Sequence, residues 1–354
     1  MATPTTAEER LYAVGYKKTT PWGTTTALDA ASELLVLKDG DLATALKQDM
    51  LQLKESNNVF LRSVVAGGVT GCDITPELYM RYEMGALGTM LAQLFGTAGA
   101  PAAATDLHLH TFLWAQSTAG LFGTYAAEYP GKIFTVPSAK PYKFVIGLQD
   151  GILKASPTLR GNVVVDDDAT NVYTAMDTLV GTDQGALVKF SEMTKCWLAT
   201  HDHADAMADT EAVAISGFEL SPARGLETSK MQNGAVSLAE PGEEEFPDIR
   251  VKLDLVFDAD NSLFFEDFQD GTAWQLLMEF TGPHGGVTSQ HMVMTFYFPK
   301  LLVAAVPDTK KAGMVKTTVE FIAVASTTGL PVGMTGSFYP YFTLVNDRAT
   351  DYLA

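Results

Sequence analysis

The densest cluster of reactive side chains in the chain is His201-Asp-His-Ala-Asp-Ala-Met-Ala-Asp-Thr-Glu, which sets two histidines and four carboxylates within eleven residues. Imidazole and carboxylate are good ligands for zinc or manganese, so the stretch could serve a metal-dependent hydrolase. Its spacing has neither the i, i+4 helical histidines of a zinc protease nor the regular oxygens and central glycine of a calcium loop. A solvated acidic loop fits it better. His108 and His110, two apart in Leu107-His-Leu-His-Thr-Phe-Leu-Trp, could reach one metal from a strand, but no further ligand lies nearby in sequence. They are expected on the wetter face of a half-exposed strand. Cys72 and Cys196, the only cysteines, read as two small packed residues.

Other chemistry is missing at the level of motifs. The chain has no Gly-x-Ser-x-Gly elbow, no phosphate-cradling glycine loop ending in Lys-Ser or Lys-Thr, and no dinucleotide fingerprint after a strand. Paired carboxylates abound in an acidic protein and decide nothing. The expectation is a non-enzymatic protein that needs no cofactor and holds no metal.

The elements that would carry these residues read as mainly β with flanking helices. Ile249, Val251, Leu253, Leu255 and Phe257 alternate with polar residues, the period of a strand with one buried face. Phe264, Phe268, Ala273, Trp274, Leu277 and Met278 then recur at spacings near three and four, which predicts a helix closed by Gly282-Pro283. The same grammar occurs earlier: a strand through Ile74, Leu78 and Met80, then a helix from Met84 closed by Gly96. Each unit is followed by a glycine-led strand, Gly151-Ile-Leu-Lys and Gly313-Met-Val-Lys, so the halves read as a diverged internal duplication. Asp150-Gly151 predicts a hairpin turn between strands 142–147 and 151–165. Further strands are expected at 34–37, 107–114, 186–198, 213–220, 292–299 and 314–325.

The chain divides, on this reading, into an N-terminal arm over 1–40, a β domain over 41–170, a second over 186–326, and a C-terminal segment over 327–354. A core shared by both halves is the alternative. The arm carries Pro21 and Trp22 among hydroxyls; it either docks on another surface or tucks in as a terminal strand. The stretch from Pro222 to Glu245 reads as a long polar loop that packs on a neighbouring subunit or is disordered. Phe338, Tyr339, Tyr341 and Phe342 make the C-terminus either a last strand or a second docking segment.

Composition sets the outer bounds. With 354 residues, 47% hydrophobic and 19% charged, the chain can bury a substantial core. A net charge of −18 repels nucleic acid and anionic membranes, so phosphate-gripping functions are poor candidates. No apolar run has the length of a membrane-spanning helix, and the first residues lack the pattern of a signal peptide; a soluble protein made in a cytoplasm is expected.

The succession Thr19-Thr-Pro-Trp-Gly-Thr-Thr, Glu33-Leu-Leu-Val-Leu-Lys-Asp-Gly, Val69-Thr-Gly-Cys-Asp-Ile-Thr-Pro-Glu-Leu-Tyr and a helix ending Leu94-Phe-Gly resembles the opening of the tail tube (major tail) proteins of long-tailed bacteriophages. The closing strands, Met292 to Pro299 and Gly313 to Ala325, are similar to the late proline-punctuated hairpin of that family. The resemblance implies two tandem β-sandwich or half-barrel units, α+β in class, joining with other subunits into a ring-closed β-barrel. It implies a structural virion protein that self-assembles into stacked rings, trimeric with pseudo-sixfold symmetry or hexameric, assembled in the host cytoplasm. DNA would pass through a net-negative lumen without specific binding, and the tape measure, tail tip and tail terminator proteins would be further partners. Candidate inter-subunit contacts are then Pro21, Trp22, Phe246, Tyr339, Tyr341 and Phe342. The competing readings are the hydrolase of the His201 to Glu211 loop and a monomeric β-sandwich decoration or adhesion module.

Overall fold

The computed structural model describes residues 13–35, 45–46, 50–53, 62–65, 72–98, 100–129, 132–166, 169–179, 185–202, 205–226, 238–256, 267, 269–285, 290–305, 316–326, 331, 334 and 338–354. Among them strand outweighs helix, 55% to 12%. The principal strands are β1 (Ala13–Lys18), β2 (Cys72–Ile74), β3 (Leu107–Trp114), β4 (Gly123–Tyr129), β5 (Lys132–Gln149), β6 (Ile152–Gly161) and β7 (Met193–Thr200). They continue with β8 (Ile215–Leu226), β9 (Glu243–Val256), β10 (Ala273–His284), β11 (His291–Val303), β12 (Lys316–Ala323) and β13 (Tyr341–Asn346). One long helix, α1 (Gly85–Phe95), lies between β2 and β3 in sequence.

The 18-residue strand β5 decides the topology. One edge pairs with β6 through the turn at Asp150 and Gly151, whose positive φ values of 52° and 76° suit the right-handed twist of a tight hairpin. Its other edge is shared: β4 takes its first half, with β1 paired to the far side of β4, and β8 takes Lys143 to Gly147. From β8 the ladder runs on through β9 to β12. A second layer follows the order β7–β10–β11–β13–β3 and joins the first where Leu301–Val303 of β11 meet β12.

The two layers face each other across α1. Phe218 on β8 lies 5.9 Å, centroid to centroid, from Phe280 on β10. Leu91 and Phe95 of the helix, Ile146 and Leu220 of one layer, and Phe296 and Phe342 of the other line a residual apolar void of about 20 Å³. The helix is mostly apolar, with Thr89 and Gln93 as its polar side chains, and every residue from Ala86 to Phe95 is buried. Gly96 ends it in the left-handed conformation, φ 92°, its N–H donating to the Ala92 carbonyl.

Several sequence expectations are corrected here. Two tandem units and a ring-closed barrel do not describe the fold: β5 and β8 pair edge to edge across the halves, and the sheet stays open, not closed into a barrel. Of the helix expected from Phe264 to Met278, residues 267, 269 and 270 are helical, but Ala273 to Met278 belong to strand β10. Leu276, Met278 and Phe280 carry a period-two signal inside the same run, and pairing to both β7 and β11 selects it. Among the described residues the second unit thus shows only a short helical stretch at 267, 269 and 270 where the first has the eleven-residue α1. Residues 13–18 of the supposed arm are strand β1, paired along its length with β4. Residues 222–226 and 243–245 of the supposed polar loop are strand. Residues 1–12, 36–44 and 227–237, as well as Phe264 and Phe268, lie outside the described residues.

The C-terminal residues are locked onto the helix. Tyr352, fully buried, fits where Gly88 has no side chain, and a Cβ at position 88 would collide with its ring. Asn346 Nδ2 donates to the Tyr82 carbonyl and to the Tyr352 hydroxyl, 3.0 Å each. In an unencumbered helix Gly→Ala stabilises by about 1 kcal/mol, but overpacking a rigid ring costs about 1–3 kcal/mol. Gly88→Ala is therefore expected to lower stability by a net of up to ~2 kcal/mol, read as a lower urea midpoint at unchanged slope. An unchanged or raised midpoint would remove this contact from the account.

Candidate functional site: an aromatic cleft braced by Arg224

The strongest internal polar constellation sits at the C-terminal end of α1. Arg224 on β8 follows Phe218, Leu220 and Pro222 in the inward phase of the strand, and its side chain is 1% exposed. Nε donates to the Leu94 carbonyl at 2.6 Å; Nη2 donates to Phe95 at 3.0 Å and Ala115 at 2.8 Å. Leu94 and Phe95 carry end carbonyls that the helix cannot satisfy internally; Phe95 also accepts from the Ala115 N–H at 2.7 Å, and a cation there complements the helix dipole. Nη1 reaches Glu243 Oε2 at 2.8 Å, and the guanidinium lies 4.1 Å over the Trp114 ring. Burial pulls the Arg224 pKa below its usual value, with Glu243 opposing.

Glu243 is held in turn. Its Oε1 accepts from the Thr118 N–H at 2.7 Å and hydroxyl at 2.6 Å. Burial alone would raise its carboxyl pKa; the two Thr118 donors and the Arg224 charge outweigh that and set it below the usual value. Glu240 repeats the arrangement with Lys140, a residue 2% exposed, at 2.9 Å, and also accepts from Gly120 N–H. The strap from Leu238 to Glu243 is thereby fastened to the 117–122 loop and to β5.

Above this brace opens a cleft of about 390 Å³ lined by Trp114, Gln116, Glu244, Phe246, Pro247 and Tyr339. Each Arg224 nitrogen is already committed inside the chain, so the cleft offers aromatic and apolar surface rimmed by carboxylates rather than a reactive group. Phe246 at its mouth is 95% exposed, and Tyr339 is 41% exposed.

The residues singled out by sequence distribute unevenly around this geometry. Phe246 and Tyr339 come together at the cleft, and Pro21 is exposed elsewhere. Trp22 is half-buried, edge-on to Phe122 at 4.9 Å, and its Nε1 donates to the Leu238 carbonyl at 2.8 Å. Phe342 is corrected from a contact residue to a core one: 1% exposed, it sits between Phe112 and Phe296, 5.0 Å from each. Tyr341, 5% exposed, stacks on Tyr297 at 4.4 Å. Both belong to β13, paired on either side, which leaves neither free for a partner.

The histidines do not converge. His110 lies on the buried face with Phe112 and Trp114, not on a wetter one; its Nε2 meets the Arg348 carbonyl at 2.9 Å, and burial lowers its pKa. His201 engages the Pro299 carbonyl at 2.7 Å and the Ser326 hydroxyl at 3.2 Å, while His203 lies outside the described residues. Among the described residues no group of three metal-ligating side chains gathers. Both cysteines are buried and unbridged, and burial pushes each thiol up to about 12.

Sequence reading passed over Arg224 and Lys140. The signal was present: each cation falls in the inward phase or run of a strand, a placement that demands a buried acceptor.

Replacing Arg224 by Met removes one partner of a buried pair and leaves helix carbonyls and Glu243 uncompensated, an expected loss of about 3–5 kcal/mol by chemical denaturation. Glu243 also gives the chain an acid-dependent term. Its folded pKa lies below its unfolded one, so its contribution is complete above the ordinary carboxylate pKa and is lost as pH falls through the folded value. Glu243→Gln should flatten the stability profile in that acidic window. An identical slope in both proteins would exclude the carboxylate as its source.

No model of a known protein family matches this chain, and no curated protein matches it.

Proposed function

We propose that this chain is a structural subunit whose function is to associate with further copies of itself, as a component of a phage tail tube through which a genome is ejected. The observation that carries the reading is Phe246. It is a large aromatic left 95% exposed beside a cleft, in a chain that buries Phe112, Phe144, Phe280, Phe321 and Phe342 almost completely. An exposed aromatic rimmed by polar groups is the composition of a protein interface.

The charge pattern favours a second copy as the occupant. Along β9 the outward side chains run from Glu244 and Glu245, past Phe246 and Asp248, to Arg250 and Lys252, which also pair within the chain with Asp248, Glu320 and Glu219. Two copies laid antiparallel along this strand would set acid against base at both ends, with the Phe246 side chains between them. The surplus of carboxylates, 42 against 24 basic residues, speaks against nucleic acid as the partner and suits a conduit that DNA must pass without adhering. The resemblance of its motif succession to tail tube proteins supports reading this self-association as part of a virion.

Burying a phenylalanine contributes about 1.5–3 kcal/mol, which is about tenfold to a hundredfold in an association constant. Sedimentation of the purified chain over a wide concentration range, with negative-stain microscopy of the concentrated sample, should reveal oligomers and then hollow polymers. Phe246→Ser should shift the midpoint to at least about tenfold higher concentration. A chain that stays monomeric throughout would overturn self-association. Association with the same midpoint in Phe246→Ser would place it on another surface.

A further inference from the structure

A second cavity, of about 340 Å³, opens where β1, the 19–33 segment, α1 and the C-terminal residues converge; its wall includes Lys17, Lys18, Thr20, Ser32, Thr89 and Arg348. Its chemistry reverses that of the rest of the molecule. In a chain with a net charge of −18, three cations here face one side-chain carboxylate, Glu33. Lys17 is neutralised by Glu33 at 2.7 Å and Asp29 at 2.9 Å, whereas Lys18 and Arg348 have no carboxylate side chain at ion-pair distance among the described residues.

Both retain open donors. Lys18 Nζ donates to the Leu353 carbonyl and has two further N–H groups. The Arg348 guanidinium is held flat, 4.3 Å over the Tyr352 ring, with Nε donating to the Thr350 carbonyl at 3.2 Å. Its terminal nitrogens meet no acceptor among the described residues. The hydroxyls of Thr20, Ser32 and Thr89 are likewise without a hydrogen bond there. A pre-oriented guanidinium fork, an ammonium and three unengaged hydroxyls around one polar cavity form a set of donors waiting for an acceptor with several oxygens.

We propose that this cavity binds a small phosphate-bearing anion of about sugar-phosphate size. Arg348 takes two phosphate oxygens in bidentate fashion, Lys18 takes the third, and the hydroxyls of Thr20, Ser32 and Thr89 contact the remainder of the ligand. The volume lies at the lower end of small-molecule sites, about 300–1,000 Å³, which excludes a larger occupant. A bound anion would join the N-terminal strand to the C-terminal residues that lock α1, so occupancy should also raise thermal stability.

Isothermal titration calorimetry and thermal melts of the full chain test this, with glucose 6-phosphate and inorganic phosphate as probes. Glucose and sodium chloride at matched ionic strength are the controls. We expect saturable, one-to-one binding of a phosphate probe, a rise in melting temperature with it, and no response to either control. Equal affinity for both probes would assign recognition to the phosphate group alone; tighter binding of the sugar phosphate would add the hydroxyl wall. Arg348→Gln should weaken binding at least about tenfold. Because that change also removes the contact with Tyr352, Thr20→Val, at an exposed position, serves as the second variant and should weaken binding severalfold. Absence of saturable binding by both probes overturns the proposal, as does unchanged affinity in both folded variants.

Discussion

The burial of the end of α1 is the constraint to which much of this chain answers. A helix sealed between two β layers cannot hand its last carbonyls to water, and leaving them unpaired in an apolar interior costs several kcal/mol. Gly96 disposes of one acceptor by turning the backbone left-handed; Leu94 and Phe95 need donors from elsewhere. Arg224 supplies them, and its burial brings in a charge that must itself be answered. Glu243 answers it, and Thr118 steadies Glu243. One unmet need at a helix end thus fixes the relation of α1, β8, β9 and the 117–122 loop, elements drawn from both halves of the sequence.

The other end of the helix is settled by shape rather than charge. Gly88 makes room for Tyr352, whose ring lies edge-on to His110 at 4.9 Å and tilted against Phe112 at 5.5 Å. Asn346 then ties that tyrosine to Tyr82, just ahead of α1. Asn346 thus answers the Tyr82 carbonyl and the Tyr352 hydroxyl together, and Tyr341, Phe342 and Tyr352 of the C-terminal segment belong to the core while Phe338 and Tyr339 stay exposed.

Elements governed by local rules were legible in the sequence. Asp150-Gly151 names its turn, Gly96 names a helix stop, and the alternation through Ile249 to Leu255 names a strand whose odd residues are buried. Local reading failed where tertiary pairing chose between two periods, as in β10, where Leu276, Met278 and Phe280 outvote the helical spacing once strands lie on both edges. It failed again where pairing joins distant segments: β5 divides its edge between β4 and β8, and nothing in its own sequence shows that it fuses the two halves into one open sheet. Of the candidate contacts, Phe246 and Tyr339 were legible as exposed aromatics beside turn formers. Tyr341 and Phe342 have the same residue types and only a partner strand on each side to set them apart.

The cleft at Phe246 can exist because the brace beneath it is complete. With each Arg224 nitrogen engaged inside the chain and its charge answered by Glu243, the cleft presents the Trp114 face, Pro247 and the neighbouring aromatics within a rim of carboxylates. Glu244 and Glu245 stay solvated on its rim while Glu243, one residue away, turns inward. The Glu243-Glu-Glu run is therefore two things at once: its first member holds the fold together, and the next two colour the surface on which a partner would settle. A partner that covered Phe246 would also shield the Arg224–Glu243 pair from solvent and strengthen it. The proposed association at this surface would consequently be coupled to stability at the end of α1 through a single strand.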